Sequence, residues 1–406
     1  MNHSVAITGL GIVSCLGTGA KKATEALKKG KSGIREDLRR TELGLRSALT
    51  GVIDDFIPPS LDKKFLRTMT DFGIQAYGAT LEAIQMAGWN EDDIRSVRTG
   101  MIIGNDSSTL ASVKQVDIAR REKSTFPIGA SLVFQALNST VTMNLSSILG
   151  IRGASWTLSG ACASGGHAVG QAGELIASGR QDRIICGGVQ ELNWESVVSF
   201  DATNAFAIRR DDPARASRPF DEERNGLVPS GGAAIILLER YDLAQKRGAA
   251  ILGRLLAYSF SSDGYHLAIP SGEGLRWCME DCLKRGKALP DQVDYICAHA
   301  TSTPVGDAVE AQAIYSIFGK TCPWVSSTKA MTGHEMWMAG AAQVVYSILM
   351  GIDGFIAPNI NFAKQEKGAA PLKIARETID AKPKIILCNS AGFGGTNSCL
   401  LLGSEP

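Results

Sequence analysis

Short apolar runs recur along this chain and alternate with longer stretches of helical periodicity. Runs at residues 5–8, 100–103, 154–158, 183–186, 233–238, 251–259, 295–299, 324–327, 384–388 and 399–402 predict ten strands. Between them, Asp71–Ala87 reads as a helix stopped by Gly88, and residues 307–318 as one stopped by Gly319. Strands and helices in alternation imply parallel strands joined by helical crossovers. Many of the 44 glycines close the apolar runs, as tight strand-to-helix turns require.

Two stretches follow one plan. Thr157-Leu-Ser-Gly-Ala-Cys162 leads from a strand through a polar turn into a helix rich in small residues. Ser326-Ser-Thr-Lys329-Ala-Met-Thr-Gly-His334 does the same. The turn after residue 103 (Asn105, Asp106, Ser107) likewise matches Thr301-Ser302-Thr303 after His299. A duplicated chain is expected, with halves 1–250 and 251–406 and both reactive turns at their interface. The amino-terminal Gly9-Leu-Gly11-Ile-Val-Ser14 follows a strand, but its third glycine is missing and no ribose-binding acid follows. A tight turn fits better than a dinucleotide site.

Composition narrows the function classes. A net charge of +1 gives no bulk field toward nucleic acid or membrane, and the clusters of charge are short and mixed in sign. No apolar run is long enough to span a bilayer, and residues 1–11 carry no basic stretch of a leader. Nine cysteines without metal-ligand spacing point to reduced thiols in a cytoplasmic protein, with Cys278 and Cys282 buried and no metal or cofactor.

The candidate chemistry starts at Cys162, where a helix amino-terminus favours thiolate and the surrounding Gly and Ala leave room for a thioester. On these facts a nucleophile and an inert core thiol fit equally. Of five histidines, His299 and His334 end a strand or turn among small polar residues, while His167 reads as a packed, hydrogen-bonded side chain. A cysteine with two such imidazoles suits acyl-thioester chemistry. Lys329, on a turn expected to be buried, needs a partner, and Glu310 is one candidate. Glu310 fits equally well as the third helical residue after an Asp307 cap. The run Gly392-Phe393-Gly394-Gly395 between the last two strands is either a plain hairpin or a loop with a backbone oxyanion donor and a mobile Phe393.

Taken together, these motifs resemble the β-ketoacyl-acyl-carrier-protein synthases. The resemblance rests on Gly160-Ala-Cys162-Ala-Ser-Gly-Gly-His, Ala216-Ser-Arg-Pro-Phe-Asp, Ala298-His299-Ala-Thr-Ser-Thr-Pro-Val-Gly-Asp307, Ser327-Thr-Lys329-Ala-Met-Thr-Gly-His334 and Gly392-Phe-Gly-Gly-Thr-Asn397, in family order over nearly the whole chain. It implies an α/β fold of thiolase type, a five-layered αβαβα sandwich of two similar halves. It also implies acyl transfer to Cys162 from an acyl carrier protein bearing phosphopantetheine-bound acyl and malonyl groups. Backbone N–H groups of Cys162 and Phe393 would hold the oxyanion. His299 and His334 would promote decarboxylation and stabilise the enolate. Lys329 with Glu310 would tune the histidines, supported by Thr301 and Thr303. A homodimer is implied, with a heterodimer as the variant. Gln190-Glu-Leu-Asn-Trp-Glu195 sits closer to type I than type II enzymes. The alternative of a non-catalytic or chain-length-determining partner would lack the nucleophile that Cys162 supplies.

Departures from the family pattern cluster around the pocket. Ala300 replaces a glycine, Glu335-Met-Trp337-Met-Ala339 replaces a run of small residues, and Ala391 replaces a phenylalanine. Ser107, Ser108, Phe200, Trp337 and Ala391 are therefore the expected pocket lining. A reshaped cavity implies a specialised acyl chain, unsaturated or aryl-bearing.

Overall fold

The computed structural model describes residues 3–209 and 211–404, and all ten expected strands are present. They are β1 (Val5–Ser14), β2 (Thr99–Gly104), β3 (Ser155–Leu158), β4 (Arg183–Gln190), β5 (Gly232–Arg240), β6 (Gly253–Ser262), β7 (Tyr295–Cys297), β8 (Trp324–Ser326), β9 (Ile385–Gly392) and β10 (Thr396–Gly403). Gly17–Thr18, Ile34–Glu36, Leu49–Gly51 and Lys373–Ile374 add short strands that the apolar pattern did not mark.

The first five lie in the order β3-β2-β4-β5-β1, and the second five in the order β8-β7-β9-β10-β6. Counted from the start of each set, the two orders are the same. So is the sense of every pairing: β3-β2-β4 and β8-β7-β9 are parallel, and the remaining neighbours antiparallel. The sets join where β1 pairs antiparallel with β6, from Val5 opposite Leu255 to Ile7 opposite Gly253. The expected parallel strands are thus found in β3-β2-β4 and β8-β7-β9, and the expectation is corrected at the remaining neighbours. No crossover helix separates β9 from β10, so the chain can only return antiparallel.

Both faces of each sheet are covered. Along β5, Ala234, Ile236 and Leu238 enter a central core, whereas Ala233, Ile235 and Leu237 enter an outer one. Along β10, Leu400 and Leu402 share the central core, while Cys399 and Leu401 face a second outer one. This period-two division explains why the strands read as continuous apolar runs. Helices α1 (Asp71–Ala87) and α2 (Thr140–Leu149) cover the first outer face. The central layer is α3 (Ser164–Ala177), and the second outer face carries α4 (Glu273–Gly286) and α5 (Pro304–Phe318). Finally α6 (Ala339–Asp353) lies beside α3 in the central core. The result is an αβαβα sandwich.

Glycine sets two close approaches. Gly9 and Gly11 lie inside β1, where any Cβ would collide with the carbonyls of Ala83 and Ala79 on α1. The expected tight turn after residue 8 is therefore a continuous strand under a helix. In the central layer, a Cβ on Gly340 of α6 would lie 2.5 Å from the Gly166 N of α3. The crossing of these helices brings their amino-terminal turns, which carry Cys162 and His334, to one place. Among the described residues no helix is long and apolar enough to cross a membrane, and no cluster could hold a metal ion.

Candidate active site

Cys162 sits in the 3-10 turn Ala161–Ala163 just before α3. Ala161 has φ 47°, a left-handed conformation that L residues rarely adopt, and its N–H donates to Asp106 Oδ2 at 3.1 Å. The turn is further pinned by Ser164 Oγ, which accepts from the Gly160 N–H and donates to the Ala161 carbonyl. Burial pushes the Cys162 thiol up to about 12; the Lys329 charge pulls it down and Asp106 opposes that. Burial thus opposes the pull of the helix terminus toward thiolate and favours the thiol form.

The hairpin tip between β9 and β10, Phe393–Gly395, lies against this turn. A Cβ on Gly392 would stand 3.0 Å from the Cys162 N, the Gly160 O and the Ala161 Cβ. Only a glycine lets the hairpin come so near. Gly394 (φ 81°) and Gly395 (φ 79°) turn the chain, and their backbone bonds to Leu267 and Asp263 fix the tip.

His299 follows β7, and His334 follows the short helix Lys329–Thr332. Their rings meet edge to face, and each buried Nδ1 lacks a hydrogen-bond partner among the described residues. Burial holds both imidazoles well below the usual range, the Lys329 charge lowers both further, and His334 also lowers His299. Both are neutral, each with one N–H to donate.

Lys329 is 1% exposed, and its Nζ has no hydrogen-bond partner among the described residues. Burial lowers its pKa, against the opposing influence of Cys297, Glu335, Glu310 and Cys162. Glu310 makes no ion pair with it. Its carboxylate instead accepts from the N–H groups of His299 (2.8 Å) and Ala300 (2.6 Å) and from Asn389 Nδ2 (3.2 Å). The capping alternative fails, because α5 begins at Pro304 with Thr303 in the cap position. Asp307 lies within the helix, where its buried carboxylate accepts from the N–H groups of Thr301 and Phe220. Thr303-Pro304 held the signal for this, since proline favours the first helical position.

Sequence reasoning missed Glu335. It is 1% exposed, accepts from the Tyr346 hydroxyl at 2.7 Å through Oε1, and leaves Oε2 without a partner among the described residues. Burial raises its pKa to about 7, and Lys329 lowers it.

A cavity of about 440 Å³ collects Cys162, His299, His334, Phe200, Phe393, Ala391, Thr301, Thr303 and Glu310 on its lining. Phe200 is stacked between Phe206 (6.4 Å, 7°) and Phe393 (5.9 Å, 16°), with Trp337 tilted toward it at 6.1 Å. Ser108 lies instead on a separate cavity, and Ser107 and Trp337, hydrogen-bonded to each other, line neither. His167 is held by Tyr258 and Thr396, each at 2.8 Å. Cys278, Cys282, Cys388 and Cys399 are core thiols.

A buried thiol, two neutral imidazoles and a glycine hairpin at the centre of an αβαβα sandwich with two like strand sets define a thiolase-like condensing enzyme. The comparisons agree. Residues 2–244 match the model for the β-ketoacyl synthase N-terminal domain and residues 252–363 that for the C-terminal domain. The chain belongs to the β-ketoacyl synthase family, acyltransferases that form carbon–carbon bonds. It is 39% identical over 399 residues to 3-oxoacyl-[acyl-carrier-protein] synthase 1 of Haemophilus influenzae, covering 97% of each chain. Among solved structures, a β-ketoacyl synthase from Burkholderia phymatum superposes with a TM-score of 0.95 at 30% identity, over 100% of both chains. A type II polyketide acyl carrier protein in complex with its ketosynthase bound to the hexaketide matches with a TM-score of 0.90 at 27% identity, again over 100% of both chains.

Proposed function

We propose that this ketosynthase takes an acyl group from an acyl carrier protein onto Cys162 and condenses it with malonyl carrier protein. The observation that carries this reading is the convergence of Cys162, His299 and His334 on one cavity. The Cys162 sulfur attacks the incoming thioester; its proton passes to the departing phosphopantetheine sulfur. The N–H groups of Cys162 and Phe393, held together by Gly392, receive the oxyanion. Malonyl carrier protein then loses CO₂, and the electrons of the broken C–C bond form an enolate. Neutral His299 and His334 donate N–H bonds to its oxygen. The enolate carbon attacks the acyl-Cys162 carbonyl, the Cys162 sulfur leaves, and it takes up a proton for the next cycle. Lys329 biases this step by keeping the imidazoles neutral, while Glu310 fixes the backbone at His299.

We infer further that the acyl chain is a conjugated one, unsaturated or aryl-bearing. Phe206, Phe200 and Phe393 form one flat stack beside the nucleophile, and Trp337 adds a fourth ring. Such a wall favours planar π systems. The same reading includes division of the chain into halves near residue 250, supported by the repeated strand order. It also includes a homodimer through β3, which is paired on one side only and exposes Trp156.

Mass spectrometry of the intact protein with a panel of acyl carrier proteins tests the proposal. Wild type should gain the acyl mass on Cys162, faster from conjugated than from saturated chains of equal length. Cys162→Ala should abolish acylation and condensation yet retain malonyl decarboxylation. Condensation that survives this substitution in a reconstituted system would assign the chain to a non-catalytic role, and equal rates for both chain types would refute the conjugated substrate.

A further inference from the structure

We propose that Trp337 is a specificity-determining wall that limits how far an acyl chain can extend past Cys162, by closing the catalytic cavity off from a second cavity behind it. The inference rests on the acyl-Cys162 reading above and adds which residue sets the length of the chain.

The second cavity measures about 730 Å³ and is lined by Ser108, Leu110, Gln135, Glu191 and Asn193, among others. None of Cys162, His299 or His334 lies on it. Trp337 is on the lining of neither space, but its contacts reach residues of both. It is 6% exposed and packs with Met336 and Cys162 on the catalytic side. Its Nε1–H donates to Ser107 Oγ at 3.0 Å, and that hydroxyl donates to Glu191 Oε1 at 3.2 Å. The Glu191 carboxylate is itself fixed by the N–H groups of Thr109 (2.7 Å) and Leu110 (3.3 Å) and by Asn193 Nδ2 (2.8 Å). The ring is thus tied through Ser107 to Glu191, a residue of the second cavity.

The backbone holds the ring in place. Trp337 belongs to the 3-10 turn Met336–Met338, in which Met336 has φ 45°, a left-handed conformation costly for a side chain of that size. A Cβ on either Gly165 or Gly188 would lie 3.0 Å from the Trp337 carbonyl, so the turn is seated on α3 and β4 with no slack. A ring so fixed acts as a wall and not as a swinging gate. Beyond it the second cavity offers apolar side chains such as Leu110 and Ala111 beside its polar groups, so it is the ring that stops a longer chain. Short conjugated acyl groups, ending against the indole, are the class that fits.

Two axes separate this inference from the reading it rests on. Pairs of saturated and conjugated chains of equal length test the substrate class, whereas saturated chains of increasing length test the wall. Acylation rates of Cys162 from butanoyl to hexadecanoyl carriers are to be measured for wild type, Trp337→Ala and Trp337→Phe. Wild type should show a sharp length limit. Trp337→Ala should gain at least about tenfold for the longest chains relative to butanoyl, and Trp337→Phe should keep the limit. If the alanine variant does not fold, Trp337→Leu, which also lacks the ring, carries the same expectation. A folded variant lacking the ring with the wild-type length profile, or a wild type that loads all lengths alike, would overturn the wall.

Discussion

His299 and His334 meet edge to face with ring centroids 5.3 Å apart and planes at 88°. Two imidazolium charges this close would repel each other, and burial with the Lys329 charge disfavours the charged form of both rings. A pair of neutral N–H donors serves an enolate better than an acid, because it stabilises charge without quenching the carbanion. Replacing either histidine by alanine should slow malonyl decarboxylation about 100- to 10,000-fold. Acylation of Cys162 should continue in both variants. Release of CO₂ and the mass of the acyl-enzyme separate the two steps, and equal loss of both would contradict the assignment.

Lys329 should control the pH dependence of the same step. Its charge lowers both histidines, so Lys329→Met lets their pKa values rise toward the ordinary range. The active form is the neutral one, lost as pH falls through the histidine pKa. The acid limb of the pH–rate profile must then move to higher pH in the variant. Cys162, Glu310, Glu335 and Cys297 also surround Lys329, and the acidic limb is where the histidine effect is read. An acid limb that stays in place would remove Lys329 from this role.

The sequence made the candidate site residues legible because their type is rare in their setting. Cys162, His299 and His334 stand among alanines, glycines and small hydroxyls, where a reactive side chain has little structural work. Strands were equally plain, since burial on both faces leaves unbroken apolar runs. Their sense was not, because the antiparallel neighbours of β1 come from residues 232–262, far along the chain. Glu335 was invisible for a related reason. Nothing in Gly333-His334-Glu335-Met336 says that the acid turns inward to Tyr346 and the Lys329 charge. The capping alternative for Glu310 arose because i, i+3 spacing from Asp307 mimics a cap, while the actual start was marked by Thr303-Pro304.

Gly392 offers a test of the oxyanion site that spares the nucleophile and both histidines. An added methyl meets the Cys162 N, the Gly160 O and the Ala161 Cβ, each at 3.0 Å, so hairpin and turn must separate by a few tenths of an ångström. Overpacking of this size costs about 1–3 kcal/mol of stability. The loss of one oriented donor costs about 100-fold in rate. Gly392→Ala should therefore fold, melt somewhat lower, and acylate Cys162 about 100-fold more slowly. Stopped-flow or quenched acylation beside a thermal melt distinguishes this from general unfolding. A variant with a lowered melting temperature and an unchanged acylation rate would exclude the hairpin from oxyanion binding.

His167 should make the fold sensitive to acid. It is buried on α3 between Tyr258 and Thr396, and burial lowers its pKa to about 4. In the unfolded chain the same group titrates near 6.5. Above that pH neither state is protonated and His167 contributes no pH dependence. Below it the unfolded state binds the proton first, so stability falls with pH until the folded imidazole also titrates. At pH 5 the loss amounts to about 2 kcal/mol, from roughly 1.4 kcal/mol for each of about 1.5 units. His167→Gln cannot titrate. It should be less stable than wild type at pH 7.5, by about 1–3 kcal/mol for the disturbed hydrogen bonds. The gap should then shrink by about 2 kcal/mol at pH 5. Denaturant unfolding of both proteins at the two pH values measures that difference, and a gap independent of pH would show that His167 is protonated alike in the folded and unfolded states.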